Sequence, residues 1–266
     1  MFKIYYFLIS LYRNIRDHLE KTQEFTKTPW GFYLAGHKDM ALGLFEPEET
    51  KIIRKLINEV DTFVNIGANI GYYCCHALSH GKSIIAVEPN NHNLYFLLKN
   101  ISKNGWSEKA EIFPVAVSEK CGILKMWGSR TGASLIKGWA EIPESYVSQV
   151  PVLTLDKILG DNLIGKKALI LVDVEGAEFI MLKSALKAIL NNPKPIWMIE
   201  ITSFQHQPDK SKINPSFLST FDLFFSFGYQ AFMIENGCEV QIKLNDLNEF
   251  IAGNKNIKNH NFIFRP

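Results

Sequence analysis

The stretch Thr62-Phe63-Val64-Asn65-Ile66-Gly67-Ala68-Asn69-Ile70-Gly71-Tyr72 constrains this chain more than any other, because an apolar run breaks into two closely spaced glycines and resumes in helical sequence. Twenty-one residues after Gly67 an acid, Glu88, closes the next apolar run, Ile84 to Val87. A strand, a tight glycine turn, a helix, a second strand and an acid at its tip form the first half of a nucleoside-binding α/β sheet. The dinucleotide fingerprint G-x-G-x-x-G needs a glycine where this chain has Asn69, so that backbone can approach a pyrophosphate. Here the pattern is G-x-x-x-G with a side chain in the middle. The spacing speaks against NAD and for a nucleoside ligand without a pyrophosphate, of which S-adenosylmethionine is the common one.

At 266 residues the chain is near the upper end of what one core supports, which predicts a single domain with small additions. A net charge of +2 is too small for a nucleic-acid footprint. Cys74, Cys75, Cys121 and Cys238 contain no C-x-x-C pair, and the adjacent two fall in a helix expected to be buried, where thiols act as small hydrophobes. A reducing, cytoplasmic compartment is the expectation.

The first twelve residues, Met1 to Tyr12, are apolar but too short for a membrane span, carry no small-residue cleavage site, and run into Arg13, Arg16 and Lys21. Ile4, Leu8, Leu11, Ile15 and Leu19 fall near one helical face, so residues 1–45 are expected to be an N-terminal helical extension packed on the domain. Docking of that face on a membrane surface is the lesser alternative.

From residue 46 to 266 the pattern is that of a doubly wound, mostly parallel α/β sheet of seven strands. Glu46-Pro47-Glu48-Glu49 opens a helix with proline in its first turn. Strands are expected at 61–66, 83–87, 110–117, 168–173, 196–201, 229–234 and 262–264, with helices at 72–78, 91–104, 177–190 and after Asn214-Pro215. Pro114 marks the third strand as an edge or a bend. Residues 118–154 interrupt the alternation with two β-like pieces, Gly122 to Trp127 and Val150 to Thr154, around a turn-rich stretch, and read as a β-hairpin insertion. Its Gly128 to Leu135 portion, with Arg130, is either a lid over substrate or a solvated loop.

On this scaffold Gly67 permits the sharp turn, Ala68 and Asn69 continue it, and Gly71 lets the next helix pack closely so that its first amides face a ligand carboxylate. Glu88, followed by Pro89 and Asn90, is placed to accept hydrogen bonds from the two hydroxyls of a ribose. Ala116, Val117 and Ser118 would lie beside the base. Val172-Asp173-Val174-Glu175-Gly176-Ala177-Glu178 puts Asp173 at the tip of a buried strand, where a carboxylate needs a ligand, a metal or a basic neighbour. Glu175 and Glu178 have a simpler role available at the start of the following helix.

Together V-N-I-G-A-N-I-G-Y-Y, A-V-E-P-N, T-L-D-K-I-L at 154–159, L-V-D-V-E-G-A-E and I-E at 199–200 make residues 48 to 204 resemble the FkbM family of methyltransferases. The resemblance implies a class I, Rossmann-like fold, S-adenosyl-L-methionine as cofactor, and O-methylation of a sugar or another hydroxylated acceptor, as in polysaccharide modification. Glu88 and Asp173 match its pattern. Many members carry an acid where this chain has Asn65.

Methyl transfer from a sulfonium is an in-line displacement, so positioning supplies much of the acceleration. A sugar hydroxyl also needs help losing its proton, and Asp173, Glu200 and His206 are the candidate bases. Two strand-end acids could instead hold a divalent cation, although no metal-ligand spacing is present and none is expected. A nucleotide-dependent oxidoreductase and a non-catalytic nucleoside-binding protein on the same fold are the competing readings. The partner expected is a small-molecule or glycan acceptor; oligomeric state is not readable from the sequence.

Overall fold

Strands buried on both faces read as near-continuous apolar runs, and the central strands of this chain do so. The computed structural model describes residues 24–208, 213–257 and 259–266. Its strands are β1 (Thr26–Lys27), β2 (Tyr33–Leu34), β3 (Thr62–Ile66), β4 (Ser83–Val87), β5 (Ala110–Phe113), β6 (Ala116–Val117), β7 (Gly122–Trp127), β8 (Val147–Leu153), β9 (Ala168–Val172), β10 (Ile196–Glu200), β11 (Gln230–Glu235), β12 (Cys238–Ile242) and β13 (Asn261–Arg265). The helices are α1 (Lys38–Leu42), α2 (Pro47–Asn58), α3 (Tyr72–Ser79), α4 (Asn91–Lys103), α5 (Leu155–Leu159), α6 (Glu178–Leu182), α7 (Leu186–Ile189), α8 (Phe217–Ser226) and α9 (Leu244–Ile251).

The main sheet runs β12-β11-β13-β10-β9-β3-β4-β5, parallel except where β13 lies between β10 and β11 and where β12 returns along β11. This is the Rossmann-like α/β architecture expected, with eight strands instead of seven. The additional strand is β12. Asn236 (φ 50°) and Gly237 (φ 71°) form the two-residue loop between Glu235 and its partner Cys238, and a left-handed pair of this type joins strands whose twist it matches.

Alternate side chains of each strand enter opposite cores. Val64, Ile66, Ile85, Val87, Ile170 and Val172 pack on one side, in the core that also holds Leu155, Met181 and Phe221. Phe63, Ile84, Ala86, Leu169 and Leu171 pack on the other, with Ile53 and Leu56 of α2, Cys74 of α3 and Leu97 of α4. The chain winds outward from β3 through β4 to β5, then resumes at β9 on the other side of β3. The crevice at the carboxyl ends of β3 and β9 is therefore the topological switch point, where ligands of such sheets bind.

Two expectations are corrected, and a third falls largely outside the described residues. The strand expected over 110–117 divides at Pro114: β5 is the edge of the main sheet, while β6 leaves it and pairs parallel with β8 in a three-stranded sheet of order β6-β8-β7. The helix expected over 177–190 breaks into α6 and α7, because the Ser184 hydroxyl bonds the carbonyl of Met181 and accepts the Leu155 N–H, and its carbonyl accepts from Asp156. The amphipathic helix read at the N-terminus falls on residues 1–23, outside the described residues. Residues 24–45 are not a continuous helix: β1 and β2 pair antiparallel, and α1 has five residues. Asn100 holds this segment down, its amide exchanging bonds with the N–H and carbonyl of Ala35 and donating to the carbonyl of Ile70.

Among the described residues no helix is long and apolar enough to cross a membrane. Cys74 and Cys75 are buried thiols, and Cys121 and Cys238 are exposed ones.

Candidate active site

Two adjoining clefts open at the switch point and share Gly67, Asn69 and Asp173 as a common wall. The first, about 590 Å³ with its open mouth, is lined by Glu88, Pro89, Asn93, Val115, Ala116, Val117, Arg130, Leu135 and Glu175, among others. The second, about 500 Å³, is lined by Glu46, Glu49, Asn65, Ala68, Tyr72, Tyr73, Glu200 and Asn261, among others.

Glu88 is 4% exposed, and its bonds connect the glycine turn to the end of β4. Oε2 accepts the Asn69 N–H at 2.7 Å, Oε1 accepts the Asn90 N–H at 2.7 Å, and the Asn93 amide reaches Oε1 at 3.4 Å. Burial pushes its pKa up to about 7, against the downward pull of those donors. A carboxylate offers about four acceptor positions, so with three filled one remains for a hydroxyl of a bound ribose. Asn90 is not on the cleft wall; besides its bond to Glu88, its side chain caps α4 through the N–H groups of His92 and Asn93.

The amides of the turn itself, ahead of the first turn of α3, are not offered to a ligand. Five successive N–H groups are spent inside the protein: Gly67 and Ala68 donate to the Val87 carbonyl, Asn69 to Glu88, Ile70 to the Asn69 side chain, and Gly71 to the Ala68 carbonyl. Asn69 takes a left-handed φ of 52°, which asparagine tolerates because its side chain can bond locally. At Gly71 a Cβ would press on Leu97 of α4, so the turn packs closely there.

Asp173 follows β9, its N–H donating to the Ile66 carbonyl at 3.0 Å. Its side chain is exposed where it lines both clefts. The surrounding protein, followed by Glu200, Glu175 and Glu46, holds its pKa well above the ordinary range. Asp173 and Glu200 are hydrogen-bonded, and Glu200 is raised to about 8, mainly by burial. Two carboxyl groups so placed disfavour each other's ionisation. Among the described residues no group of three or more His, Cys, Asp or Glu side chains has an arrangement that could hold a metal ion.

Ser118 is buried and hydrogen-bonded to Leu153 outside the lining of either cleft. His206 also lines neither. It is exposed, its backbone is left-handed (φ 62°), its carbonyl accepts the Ala140 N–H, and its ring lies 5.9 Å from that of Trp139. Glu175 precedes α6 instead of entering its first turn. In a left-handed conformation (φ 53°), it accepts the Trp139 indole N–H at 2.8 Å, and its carbonyl accepts the Ser134 hydroxyl at 2.6 Å. The segment read as lid or loop is thereby fastened to the acidic loop and contributes Arg130, Thr131, Ala133 and Leu135 to the first cleft.

The sequence reading did not single out Tyr72, Tyr73, Asn93, Trp139 or Asn261, and took Glu46 only as a helix start. Tyr72-Tyr73 carried a signal, standing directly after the glycine turn. Trp139 and Asn261 are brought in from distant segments, while Asn93 stands only five residues beyond Glu88.

The family model described as methyltransferase FkbM domain matches residues 65–231. No curated protein sequence matches the chain. Among solved structures, an O-methyltransferase from Bacillus cereus in complex with SAH is similar at 11% identity and TM-score 0.45, over 85% of this chain and 83% of that one. A precorrin-6y C5,15-methyltransferase from Geobacter metallireducens is similar at 10% identity and TM-score 0.40, over 83% of this chain and 87% of that one.

Proposed function

This chain belongs to the FkbM methyltransferase family and is an S-adenosylmethionine-dependent methyltransferase; on that premise we propose that it methylates a hydroxyl oxygen of a sugar or another polyhydroxylated small molecule, in a reducing cytoplasmic compartment. The first cleft suits the nucleoside: Glu88 for the ribose hydroxyls, with Pro89, Ala116 and Val117 on the wall where the base would lie. Gly67, Asn69 and Asp173 stand where the two clefts meet, and Asn65, Ala68 and Gly71 support the turn from the other side. The cofactor, when bound, supplies an electrophilic methyl carbon on a positively charged sulfur.

The observation that carries the acceptor reading is the two acids Asp173 and Glu200 on one wall of the second cleft. A carboxyl group of raised pKa beside a second acid is better matched as a base to a hydroxyl than an ordinary carboxylate. Asn65, Asn69, Tyr73, Glu49 and Asn261 give the second cleft a wall of hydrogen-bonding groups, which suits an acceptor rich in hydroxyls.

The test is transfer of labelled methyl from the cofactor to a panel of sugars and a cell-envelope glycan extract. Asp173→Asn and Glu200→Gln should each lower kcat at least about tenfold while S-adenosylhomocysteine still binds. Full activity of both variants would remove the pair from the chemistry.

A further inference from the structure

The outer face of α4 carries a pattern of residues that methyl transfer does not use. Tyr95, Leu98, Lys99 and Lys103 recur on it at helical spacing, while Leu97 and Ile101 of the same helix enter the core. Tyr95 and Leu98 are exposed, Leu98 by 48%. Phe25 and Tyr33, from the β1–β2 pair and its approach, lie against the same lysines. Lys99 Nζ is 5.1 Å from the ring centre of Phe25 and 5.8 Å from that of Tyr95, and Lys103 Nζ is 5.2 Å from Phe25 and 5.3 Å from Tyr33. Lys27, also exposed, is the partner of Tyr33 in the β1–β2 register.

The charge of this patch is one-sided. α4 contains no acid, and Glu24 is the one acid of residues 24–36. Lysines interleaved with tyrosine, phenylalanine and leucine present apolar bodies with wet, cationic tips, which suits a boundary between hydrocarbon and anionic headgroups. A second copy of the chain is a poor occupant, because a two-fold contact here would bring two basic patches together. Three lysines are too few for a nucleic-acid track. The sequence ahead of Glu24 extends the same pairing of apolar and basic residues: Met1 to Tyr12 is apolar, and Arg13, Arg16 and Lys21 follow, with Asp17 and Glu20 between them.

We propose that the face formed by α4 and the β1–β2 pair docks on a membrane surface rich in anionic phospholipid, with its lysines at the headgroups and Tyr33, Tyr95 and Leu98 at the boundary. The proposal does not depend on the reaction catalysed. It does bear on where the reaction happens. α4 begins beside the first cleft, with Asn93 on the cleft wall, and has thirteen residues. Docking along it holds Asn93 within about 20 Å of the headgroups, the length of the helix.

Sedimentation of the full chain with lipid vesicles tests the proposal. Vesicles of phosphatidylcholine alone are compared with vesicles in which roughly one third of the lipid is phosphatidylglycerol, at low ionic strength and at about 0.5 M salt. The expected result is binding to the anionic vesicles at low salt, release at high salt, and little or no binding to phosphatidylcholine. Each basic residue near an anionic surface contributes about a fivefold factor, so Lys99→Gln combined with Lys103→Gln should weaken partitioning at least about tenfold. Leu98→Ser should weaken it further. Lys187→Gln, on α7 across the sheet, should leave partitioning unchanged, and S-adenosylhomocysteine binding, which reports an intact fold, should be the same in every variant. A chain that stays in the supernatant with both vesicle types overturns the proposal. So does equal binding to the two, binding that the double variant retains in full, or a loss as large in Lys187→Gln as in the double variant.

Discussion

Gly67 lies against the backbone of Asp173, so closely that a Cβ added to Gly67 would overlap the Asp173 carbonyl oxygen. The turn leaving β3 and the end of β9 thus share one van der Waals surface at the topological switch point. Gly67 also holds φ 86°, a conformation that side chains rarely take. Gly67→Ala therefore has to displace the acid as well as strain the turn. The expected cost is about 3 kcal/mol, together with loss of S-adenosylhomocysteine binding. Gly81 supplies the control: it has φ 78° with nothing within 4 Å of its Cβ position, so Gly81→Ala should cost about 1 kcal/mol and leave binding intact. Denaturant titration with calorimetry checks both.

Much of the fold was legible because it rests on periodicity. β3, β4 and β9 are continuous apolar runs, and the glycine turn with Glu88 beyond it fixes the winding. The Asn236-Gly237 hairpin carried a short-range signal of its own that the reading of the last strands passed over. Pro114 was legible as marking an edge or a bend, and β5 is the edge, but the departure of β6 was not legible, since it depends on pairing with β8, more than thirty residues on. The site divides similarly. Glu88 and Asp173 stand at strand ends and could be found by position. That the turn amides are consumed internally, that Asn65 lacks an acceptor's partner, and that Trp139 reaches Glu175 are properties of three-dimensional packing. No spacing rule carries them.

Cofactor affinity should depend on pH through Glu88. The folded-state pKa of about 7 lies above the ordinary 4.5, so the folded protein takes up a proton that the unfolded chain releases. The associated stability is fully present below pH 4.5 and is lost as pH rises through 7. The ionised form is the better acceptor for ribose hydroxyls. Methylthioadenosine, which has the ribose but not the amino-acid end, should therefore bind more tightly as pH rises from 6 to 8. In Glu88→Gln its affinity should be weaker and flat over that range. Calorimetry at fixed ionic strength reads the difference.

The bond from Trp139 to Glu175 fastens residues 128–142 over the first cleft, and Gly176 makes room for it, since a Cβ at Gly176 would overlap the Trp139 ring. Trp139→Phe keeps the ring contact and removes the donor, leaving a half-buried carboxylate short of a bond, at a cost of about 1.5 kcal/mol. Gly176→Ala should expel the indole altogether. The expected outcome is faster proteolysis between residues 128 and 146 in both variants, with a red-shifted tryptophan emission in Gly176→Ala alone. Unchanged proteolysis would mean that the segment is held by the β7–β8 sheet without this bond.

Glu178 offers a test of the acidic loop that does not involve ligand. It is 4% exposed, its Oε1 accepts the Gly176 N–H at 2.8 Å, and burial raises its pKa to about 8, with Asp173 and Glu175 adding to the rise. Between pH 4.5 and 8 the folded chain keeps a proton here that the unfolded chain gives up, so stability declines as pH climbs through that window. Glutamine preserves an oxygen acceptor for Gly176 and never ionises. Glu178→Gln should match the wild type at pH 5 and exceed it by about 4 kcal/mol at pH 9, measured by denaturant midpoints at the two pH values. A variant less stable than wild type at pH 9 would show that the carboxylate is ionised and compensated where it lies, and that the acids of this loop do not share the burden of burial assigned to them.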